Sequence, residues 1–246
     1  MDGLILGLDL CDGYTQLSCW GRDENWTLPT AVCRQKDGRW LIGETAYATA
    51  LAGEGSVTDK LIRLVLQDGS DTIYGVKYRA VDLLKCFLEQ VFSLPLEEGK
   101  TVDGSMVKEL VITVPKMKAR LMDGLMYCAD QLKIPKAHVH VISHTEAFMY
   151  FVLSQTRDVW SNHVGLFDLS EKCLCYYEMK VQKNMGQVTA VAEREKLEEG
   201  FALDILSAPQ GVKLADKILC SCGERLLEKK LFSSVFLTGK GFETQQ

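Results

Sequence analysis

The stretch from Leu4 to Trp20, LILGLDLCDGYTQLSCW, decides the fold, because it contains two strand-like runs separated by a tight turn. The first run is apolar and ends in Asp9-Leu10. The second run alternates apolar and polar side chains, which is typical of a half-buried strand. The Asp12-Gly13 step between them favours a two-residue turn. The segment is therefore predicted to be an antiparallel hairpin with a carboxylate at the end of its first strand.

The same pattern occurs a second time, from Val164 to Glu178, which reads VGLFDLSEKCLCYYE. Here too an apolar run ends in Asp-Leu, at Asp168-Leu169, before a short turn and a second strand-like run. A carboxylate at the end of a buried strand, next to a tight turn, suits a hydrated metal ion beside phosphates. Two such hairpins predict two similar halves whose aspartates face each other across a cleft. The alternative interpretation is that each aspartate only caps its own turn.

Length and composition limit the classes of function. With 246 residues and 47% hydrophobic content, the chain can form one large domain or two small lobes. A net charge of −5 with only short basic clusters argues against a nucleic-acid partner. No membrane association is expected, because no apolar run is long enough to span a bilayer and the start lacks a basic signal-peptide region. The nine cysteines are therefore expected to be reduced thiols of a cytoplasmic protein.

The periodicity of the rest of the chain predicts strands followed by alternating helices and strands in each half. This order is typical of an α/β fold with mixed sheets flanked by helices. Ala80 to Phe92 and Val212 to Leu227 are predicted to be amphipathic helices, since apolar residues recur at spacings of three and four. Asp59 to Gln67 is predicted to be extended, because its pattern alternates. Thr156 to Asn162 is interpreted as a linker between the halves.

Five short motifs resemble, in their order, the superfamily of actin, the sugar kinases and the seventy-kilodalton heat-shock chaperones, with the heat-shock branch most similar. They are Gly7 to Leu10 (GLDL), Val111 to Pro115 (VITVP), Ile142 to Ala147 (ISHTEA), Phe167 to Leu169 (FDL) and Val235 to Gly241 (VFLTGKG). The resemblance implies two actin-like, ribonuclease H-like lobes. The first would span residues 1–156, with a small inserted subdomain at about 36–106, and the second would span residues 157–246.

The resemblance also implies a chaperone-like nucleotide-binding domain that holds ATP and Mg²⁺ between its lobes. Asp9 and Asp168 would hold the metal through water and would act in catalysis together with His144. The residues that would contact the nucleotide are Asp12, Gly13, Tyr14, Ser170, Lys172, Gly239 and Gly241. Glycines at such turns let backbone N–H groups approach phosphate oxygens. Two alternatives stay open, since His144 could instead cap the helix that follows it and Lys172 could lie at a hairpin tip in water.

Several positions depart from the pattern of that superfamily. The second turn is Ser170-Glu171-Lys172 instead of a glycine-rich turn, and Cys11 stands where glycine is usual. His144 replaces a glutamate near the attacking water, and Glu199-Gly200 replaces a pair of glycines. Because phosphoryl transfer depends on positioned charge, these changes predict weak or absent hydrolysis.

The chain also stops soon after its last predicted strand. We therefore expect an incomplete second lobe, with an apolar surface that a protein partner or client covers. An alternative function is a degenerate, non-catalytic protein-interaction module on the same scaffold. A small-molecule kinase is less favoured, because no aspartate is placed as a base for a sugar hydroxyl. The pairs Cys173/Cys175 and Cys220/Cys222 do not complete a zinc pattern and are interpreted as small buried residues.

Overall fold

The computed structural model describes residues 3–97, 99–170, 173–184, 187–199, 209–228, 230–239 and 242 of the chain. The chain divides into two compact units, Met1–His144 and Thr145–Gln246, whereas the sequence analysis places the lobe boundary after residue 156. Mixed sheets flanked by helices confirm the predicted α/β class. None of the helices in the described ranges has the length and apolar surface that crossing a lipid bilayer requires.

The first unit is organised around one five-stranded mixed sheet. Its elements are β1 (Leu4–Leu10), β2 (Tyr14–Cys19), β3 (Asn25–Pro29), β4 (Ala31–Gln35), β5 (Trp40–Ile42), α1 (Gly43–Leu51), β6 (Gly55–Asp59), α2 (Leu61–Leu66), β7 (Ser70–Ile73), β8 (Val76–Arg79), α3 (Ala80–Val91), β9 (Val107–Val114), α4 (Ala119–Gln131) and β10 (Val139–Ser143). The large sheet has the order β10-β9-β1-β2-β3, with β1 antiparallel to β2 and parallel to β9. The predicted hairpin at the start of the chain is therefore confirmed. Strands β4, β5 and β6 form a small second sheet, and β7 pairs with β8.

Alternating side chains of the central strands build the core of the first unit. In β1 the side chains of Leu6, Leu8 and Leu10 are buried, which is the period of two that a strand requires. Helix α3 contributes Phe87 and Leu88 to the same core cluster, on the apolar stripe that its sequence predicts. The central strand is thus buried, and polar side chains at its carboxyl end meet the edge of this core.

The segment from Asp59 to Gln67 is a helix rather than the predicted extended strand. Leu61, Ile62 and Val65 are all buried, a spacing that one helical turn satisfies and an alternating strand does not. The reversal occurs at Lys60, whose φ of 52° ends β6 and allows α2 to begin at once. The alternating pattern was misleading because six residues are too few to separate the two periods.

The second unit has a four-stranded sheet with a helix on each face. Its elements are α5 (His144–Leu153, which starts on the last residue of the first unit), β11 (His163–Ser170), β12 (Cys173–Asn184), β13 (Gln187–Glu199), α6 (Pro209–Leu227) and β14 (Phe232–Thr238). The sheet order is β13-β12-β11-β14. Phe148 and Val152 of α5 pack on one face, and Ala215 and Leu226 of α6 belong to the cluster on the other. The predicted strands and α6 are confirmed, although α6 begins earlier, at Pro209.

Three further predictions in this half have different outcomes. The predicted linker contains a short 3-10 helix, Arg157–Trp160. Cys175 is buried as predicted, whereas Cys220 is exposed on α6 and is not core material. The sequence also predicts that a helix begins between Gly200 and Leu206, and this segment lies outside the described residues.

The two units repeat one strand arrangement. In each unit the first strand is antiparallel to the second and parallel to a strand that follows a helix. The registers also correspond, because Asp9 is opposite Thr113 and Asp168 is opposite Thr238. Each parallel pairing has a register shift near its start, at Leu4/Ile5 and at His163/Val164. The Asp-Leu repeat in the sequence is therefore a repeat of topology as well.

A buried carboxylate neutralises a cluster of cations near the amino ends of β11 and β14. Glu178 is only 10% exposed, and its carboxylate accepts hydrogen bonds from His163 Nδ1 at 2.8 Å and Lys230 Nζ at 2.5 Å. Lys180 Nζ lies 3.5 Å away. Burial alone would raise the pKa of Glu178. The hydrogen bonds from Lys230 and His163, with the positive charges of Lys230 and Lys180, instead lower that pKa from 4.5 to about 2.

We expect Glu178 to give the protein a stability that disappears in acid. Since the folded-state pKa is depressed, the stabilisation is present above about pH 4.5 and is lost as the pH falls towards 2. Glu178→Gln should lower the free energy of unfolding at pH 6 by roughly 1–3 kcal/mol and flatten its dependence on pH between 5 and 3. The matched control is Glu193→Gln, because Glu193 lies opposite Glu178 on β13 but is exposed. Urea unfolding curves of both variants at pH 6 and pH 3 test this, and equal effects of the two substitutions would contradict it.

Any side chain at Gly104 is predicted to destabilise the fold for a steric reason. A Cβ atom on this buried residue would collide with main-chain atoms of Leu132 and Lys133 at the end of α4, which cannot move away as a flexible side chain could. We expect Gly104→Ala to lower the free energy of unfolding by roughly 1–3 kcal/mol or more. Gly223→Ala is the control, since a Cβ there meets nothing within 4 Å and should add about 0.5–1 kcal/mol to α6. Thermal melts that rank the two variants in the opposite order would disprove the steric argument.

Candidate functional site

The polar residues of the candidate site gather where three parallel strands of the first unit end. Asp9 is the penultimate residue of β1, and Thr113 is opposite it near the end of β9. His144 follows directly after β10 and begins α5. The carboxyl ends of parallel strands are where open α/β sheets commonly bind ligands, because loops and helix starts meet there. The strand order thus brings together residues that are more than 100 positions apart in the chain.

Asp9 is the centre of this group. Its Oδ1 atom accepts a hydrogen bond of 2.8 Å from Thr113 Oγ1 and lies 2.7 Å from His144 Nε2, so that nitrogen carries the proton and donates it to the carboxylate. Cys11 lies beside both, with its Sγ atom 4.0 Å from Asp9 Oδ1 and 3.8 Å from His144 Nε2. A carboxylate oxygen, a thiol sulfur and an imidazole nitrogen therefore lie within 4.8 Å of one another.

The turn that carries Cys11 is fixed by hydrogen bonds to buried threonines. Thr30 Oγ1 donates to the carbonyl oxygen of Cys11 at 2.7 Å and is 2.7 Å from Thr15 Oγ1. The backbone N–H of Cys11 donates to the carbonyl oxygen of Tyr14 at 3.2 Å and closes the turn. Because Thr15 and Thr30 are both buried, the position of Cys11 is set by the core and not by solvent.

Electrostatics favour the ionised form of Asp9. Partial burial opposes ionisation, but the hydrogen bond from His144, the positive charge of that imidazole and the hydrogen bond from Thr113 together lower the pKa of Asp9 below its ordinary value. The side chain of Asp9 is 47% exposed while that of His144 is 18% exposed. The carboxylate therefore stays open to a ligand on one side and is held by protein on the other.

The three residues of the first turn that are predicted to bind a nucleotide make different contacts within the protein. The carboxylate of Asp12 is directed at α2, where it accepts from the backbone N–H of Arg63 at 3.1 Å and lies 3.5 Å from the guanidinium of Arg63. Gly13 contributes a carbonyl oxygen that accepts from the backbone N–H of Thr30. Tyr14 contributes the carbonyl oxygen that closes the turn. The carboxylate of Asp12 thus satisfies one of the free backbone N–H groups in the first turn of α2, although Lys60 is the N-cap residue of that helix.

The corresponding residues of the second unit are described in part. Asp168 is near the carboxyl end of β11, in register with Cys175 and Thr238, and Ser170 is the last residue of that strand. Gly239 follows β14 with a φ of 99°, a conformation that glycine adopts without strain. Lys172 and Gly241 lie outside the described residues.

Sequence reasoning found two of the four residues that form the site and missed how they combine. Asp9 and His144 were both candidates, but Cys11 was noted only as a departure from a glycine pattern. Thr113 was inside a quoted motif without a role. Its position two residues before Pro115, at the end of a β-branched run, indicates the end of a strand but not which strand lies beside it.

Comparison with known proteins identifies a family whose function is unknown. Residues 13–246 match the family described as "Family of unknown function (DUF5716) C-terminal". No curated protein matches the chain. The match therefore covers both units and most of the residues discussed above, Cys11 and Asp9 being just outside its start.

The hydrogen bond from His144 is expected to control the ionisation of Asp9. In His144→Gln the pKa of Asp9 should rise, because the charge of the imidazole is lost and the glutamine amide offers only a neutral N–H donor in its place. His140→Gln is the matched control, since His140 lies in the same strand region but pairs with exposed Glu109 at 3.0 Å. A carbon-detected NMR titration of the Asp9 carboxyl group measures the shift directly.

The ionised carboxylate of Asp9 also affects the stability of the fold. Because the folded-state pKa of Asp9 lies below 3.8, the ionised carboxylate stabilises the fold above that pH, and this contribution is lost as the pH falls further. An Asp9 pKa that is unchanged in His144→Gln would show that the imidazole of His144 does not lower it.

Proposed function

We propose that this chain, which belongs to the DUF5716 C-terminal family of unknown function, is a chaperone-like nucleotide-binding domain with weak or absent hydrolysis. One observation carries the proposal. In each unit an aspartate near the end of the first strand lies in register with a threonine near the end of the parallel neighbour, Asp9 with Thr113 and Asp168 with Thr238. A duplicated carboxylate at equivalent strand ends is what the resemblance to the actin and heat-shock superfamily implies.

The order of elements supports two actin-like lobes. Each unit has an antiparallel run of three strands, then a helix, then a strand parallel to the first. In the first unit the small sheet β4-β5-β6, α1, α2 and the hairpin β7-β8 lie between β3 and α3. This segment, residues 31–79, has no counterpart between β13 and α6 in the described residues, and it overlaps the inserted subdomain at about 36–106 that the resemblance implies. A shared topology with one insertion favours duplication of an ancestral unit.

The residues fit ATP and Mg²⁺ in part. Mg²⁺ prefers a few carboxylates together with waters and phosphate oxygens, and the exposed side of Asp9 can offer one such contact. Gly239 lies at the position of the adenosine motif and has the positive φ that lets a chain turn closely around a ligand. Bound ATP would supply the phosphoryl group. The role proposed for Asp9 is to hold a water of the metal ion through its carboxylate.

The same geometry argues for slow hydrolysis. His144 replaces the acid that the superfamily has near the attacking water, and its Nε2 atom is engaged with Asp9 at 2.7 Å. A nitrogen in that hydrogen bond does not orient a water for attack on a phosphate. Cys11 adds a side chain where a glycine backbone would face the phosphates. Nucleotide binding without efficient turnover follows from these two side chains.

A second candidate is a non-catalytic protein-interaction module that uses the same scaffold and has lost its nucleotide. The observation that favours it is that Asp9 already has two protein partners on one oxygen, Thr113 and His144. In addition, Leu231 and Leu237 near the edge strand β14 are exposed by 70% and 62%, and a protein partner or client would remove this apolar surface from water.

Thermal melts with Mg²⁺-ATP separate the two candidates. If the chain binds nucleotide, a concentration one hundred times the Kd should add roughly 2.7 kcal/mol to the free energy of unfolding, while phosphate release stays near background. Asp9→Asn should weaken this stabilisation. Mg²⁺ alone is the control, because it separates nucleotide binding from a simple ion effect. An unchanged melting temperature at millimolar Mg²⁺-ATP would reject nucleotide binding and favour the interaction module.

A further inference from the structure

We infer that Asp9, Cys11 and His144 form a binding site for Zn²⁺ or a similar borderline-soft divalent ion. The site lies entirely in the first unit. The inference does not depend on the proposed nucleotide function, because the three donors are protein atoms and need no phosphate. It also differs from a Mg²⁺ site, in which the ion would reach Asp9 through water.

The distances between the donor atoms fit such an ion. Tetrahedral zinc with bonds of about 2.0 Å to oxygen and nitrogen and about 2.3 Å to sulfur separates its ligand atoms by roughly 3.3–3.6 Å. The two separations from Cys11 Sγ, 3.8 Å to His144 Nε2 and 4.0 Å to Asp9 Oδ1, are slightly longer than this. The separation between Asp9 Oδ1 and His144 Nε2, 2.7 Å, is shorter because a proton joins them. Replacing that proton by an ion has to move the two atoms apart by about 0.6 Å, to the separation of about 3.3 Å that two zinc bonds impose.

The chemistry of the donors selects the ion. Thiolate and imidazole suit Zn²⁺ and Co²⁺, whereas Mg²⁺ takes oxygen ligands almost alone. Three protein donors leave a fourth position of a tetrahedron for water or another ligand, which is the usual arrangement of an exchangeable zinc site. Asp9, at 47% exposed, leaves that position a route to solvent.

The surroundings hold the donors in place before an ion binds. Thr113 Oγ1 donates to the carboxylate of Asp9 at 2.8 Å, as outer-shell groups do around metal ligands. Thr30 Oγ1 holds the backbone of Cys11 at 2.7 Å, and His144 is fixed as the first residue of α5. Binding therefore requires loss of the thiol and imidazole protons but little movement of the backbone.

Cobalt substitution tests the inference with the full chain, without nucleotide and under reducing conditions. Titration with Co²⁺ should produce visible bands of a tetrahedral ion and a near-ultraviolet thiolate-to-cobalt band that saturate at one equivalent, and Zn²⁺ should displace them. Cys11→Ser should abolish the thiolate band, and His144→Gln should weaken binding at least tenfold. Cys86→Ser is the matched control, because Cys86 is a partly buried thiol on α3 outside the group. It should leave both bands unchanged.

Two results would overturn the site. The first is an absence of the thiolate band in the wild-type chain. The second is a band that persists in Cys11→Ser, which would assign the ion to other thiols such as exposed Cys220. Circular dichroism and melting without metal show whether each variant is folded. Should Cys11→Ser not fold, His144→Gln decides, since it keeps the thiol and must still lose affinity. A metal-free result leaves the nucleotide proposal standing, because the melts with Mg²⁺-ATP use a different ligand.

Discussion

The hydrogen bond of 2.7 Å between Asp9 Oδ1 and His144 Nε2 joins the central strand β1 to the start of α5, across 135 positions of sequence. It helps to lower the pKa of Asp9, and it leaves the imidazole 3.8 Å from the thiol of Cys11, whose own position is set by Thr30. Every chemical role considered for this part of the molecule has to use or break that contact. A hydrated Mg²⁺ ion would have to share Asp9 with His144, whereas a soft divalent ion would replace the proton between them.

The two units share one topology, and the polar clusters described in them lie at different ends of its strands. In the first unit, a carboxylate, a thiol and an imidazole lie together at the carboxyl end of β1. Their three possible metal-ligand atoms are within 4.8 Å of one another. In the second, the strongest electrostatic group is at the amino ends of the strands, where Glu178 is surrounded by His163, Lys180 and Lys230. In that cluster the buried carboxylate has cationic partners that stay partly exposed, and the expected effect of the pairing is on stability.

Much of the fold could be predicted from local patterns, and much of the site could not. The hairpin that contains Asp9, helix α3 and helix α6 were predictable because each has a clear period and apolar side chains that recur on one face. The prediction of an extended segment around Ile62 was wrong, since a six-residue helix offers too little sequence to reveal its period. The contact of Cys11 with His144, and the register of Asp9 with Thr113, depend on which distant strands pair. No local pattern in a single sequence encodes that choice.

The hydrogen bond and the ion pair of Asp12 with Arg63 join the first turn to helix α2. Asp12 lies next to Cys11, and its carboxylate accepts the backbone N–H of Arg63 in the first turn of α2, inside the segment inserted between β3 and α3. The backbone of Cys11 is held in turn by Thr30, which directly follows β3. The turn that carries the thiol is therefore supported by the inserted segment as well as by the central sheet, although Asp9, Cys11, Thr113 and His144 all lie outside that insertion.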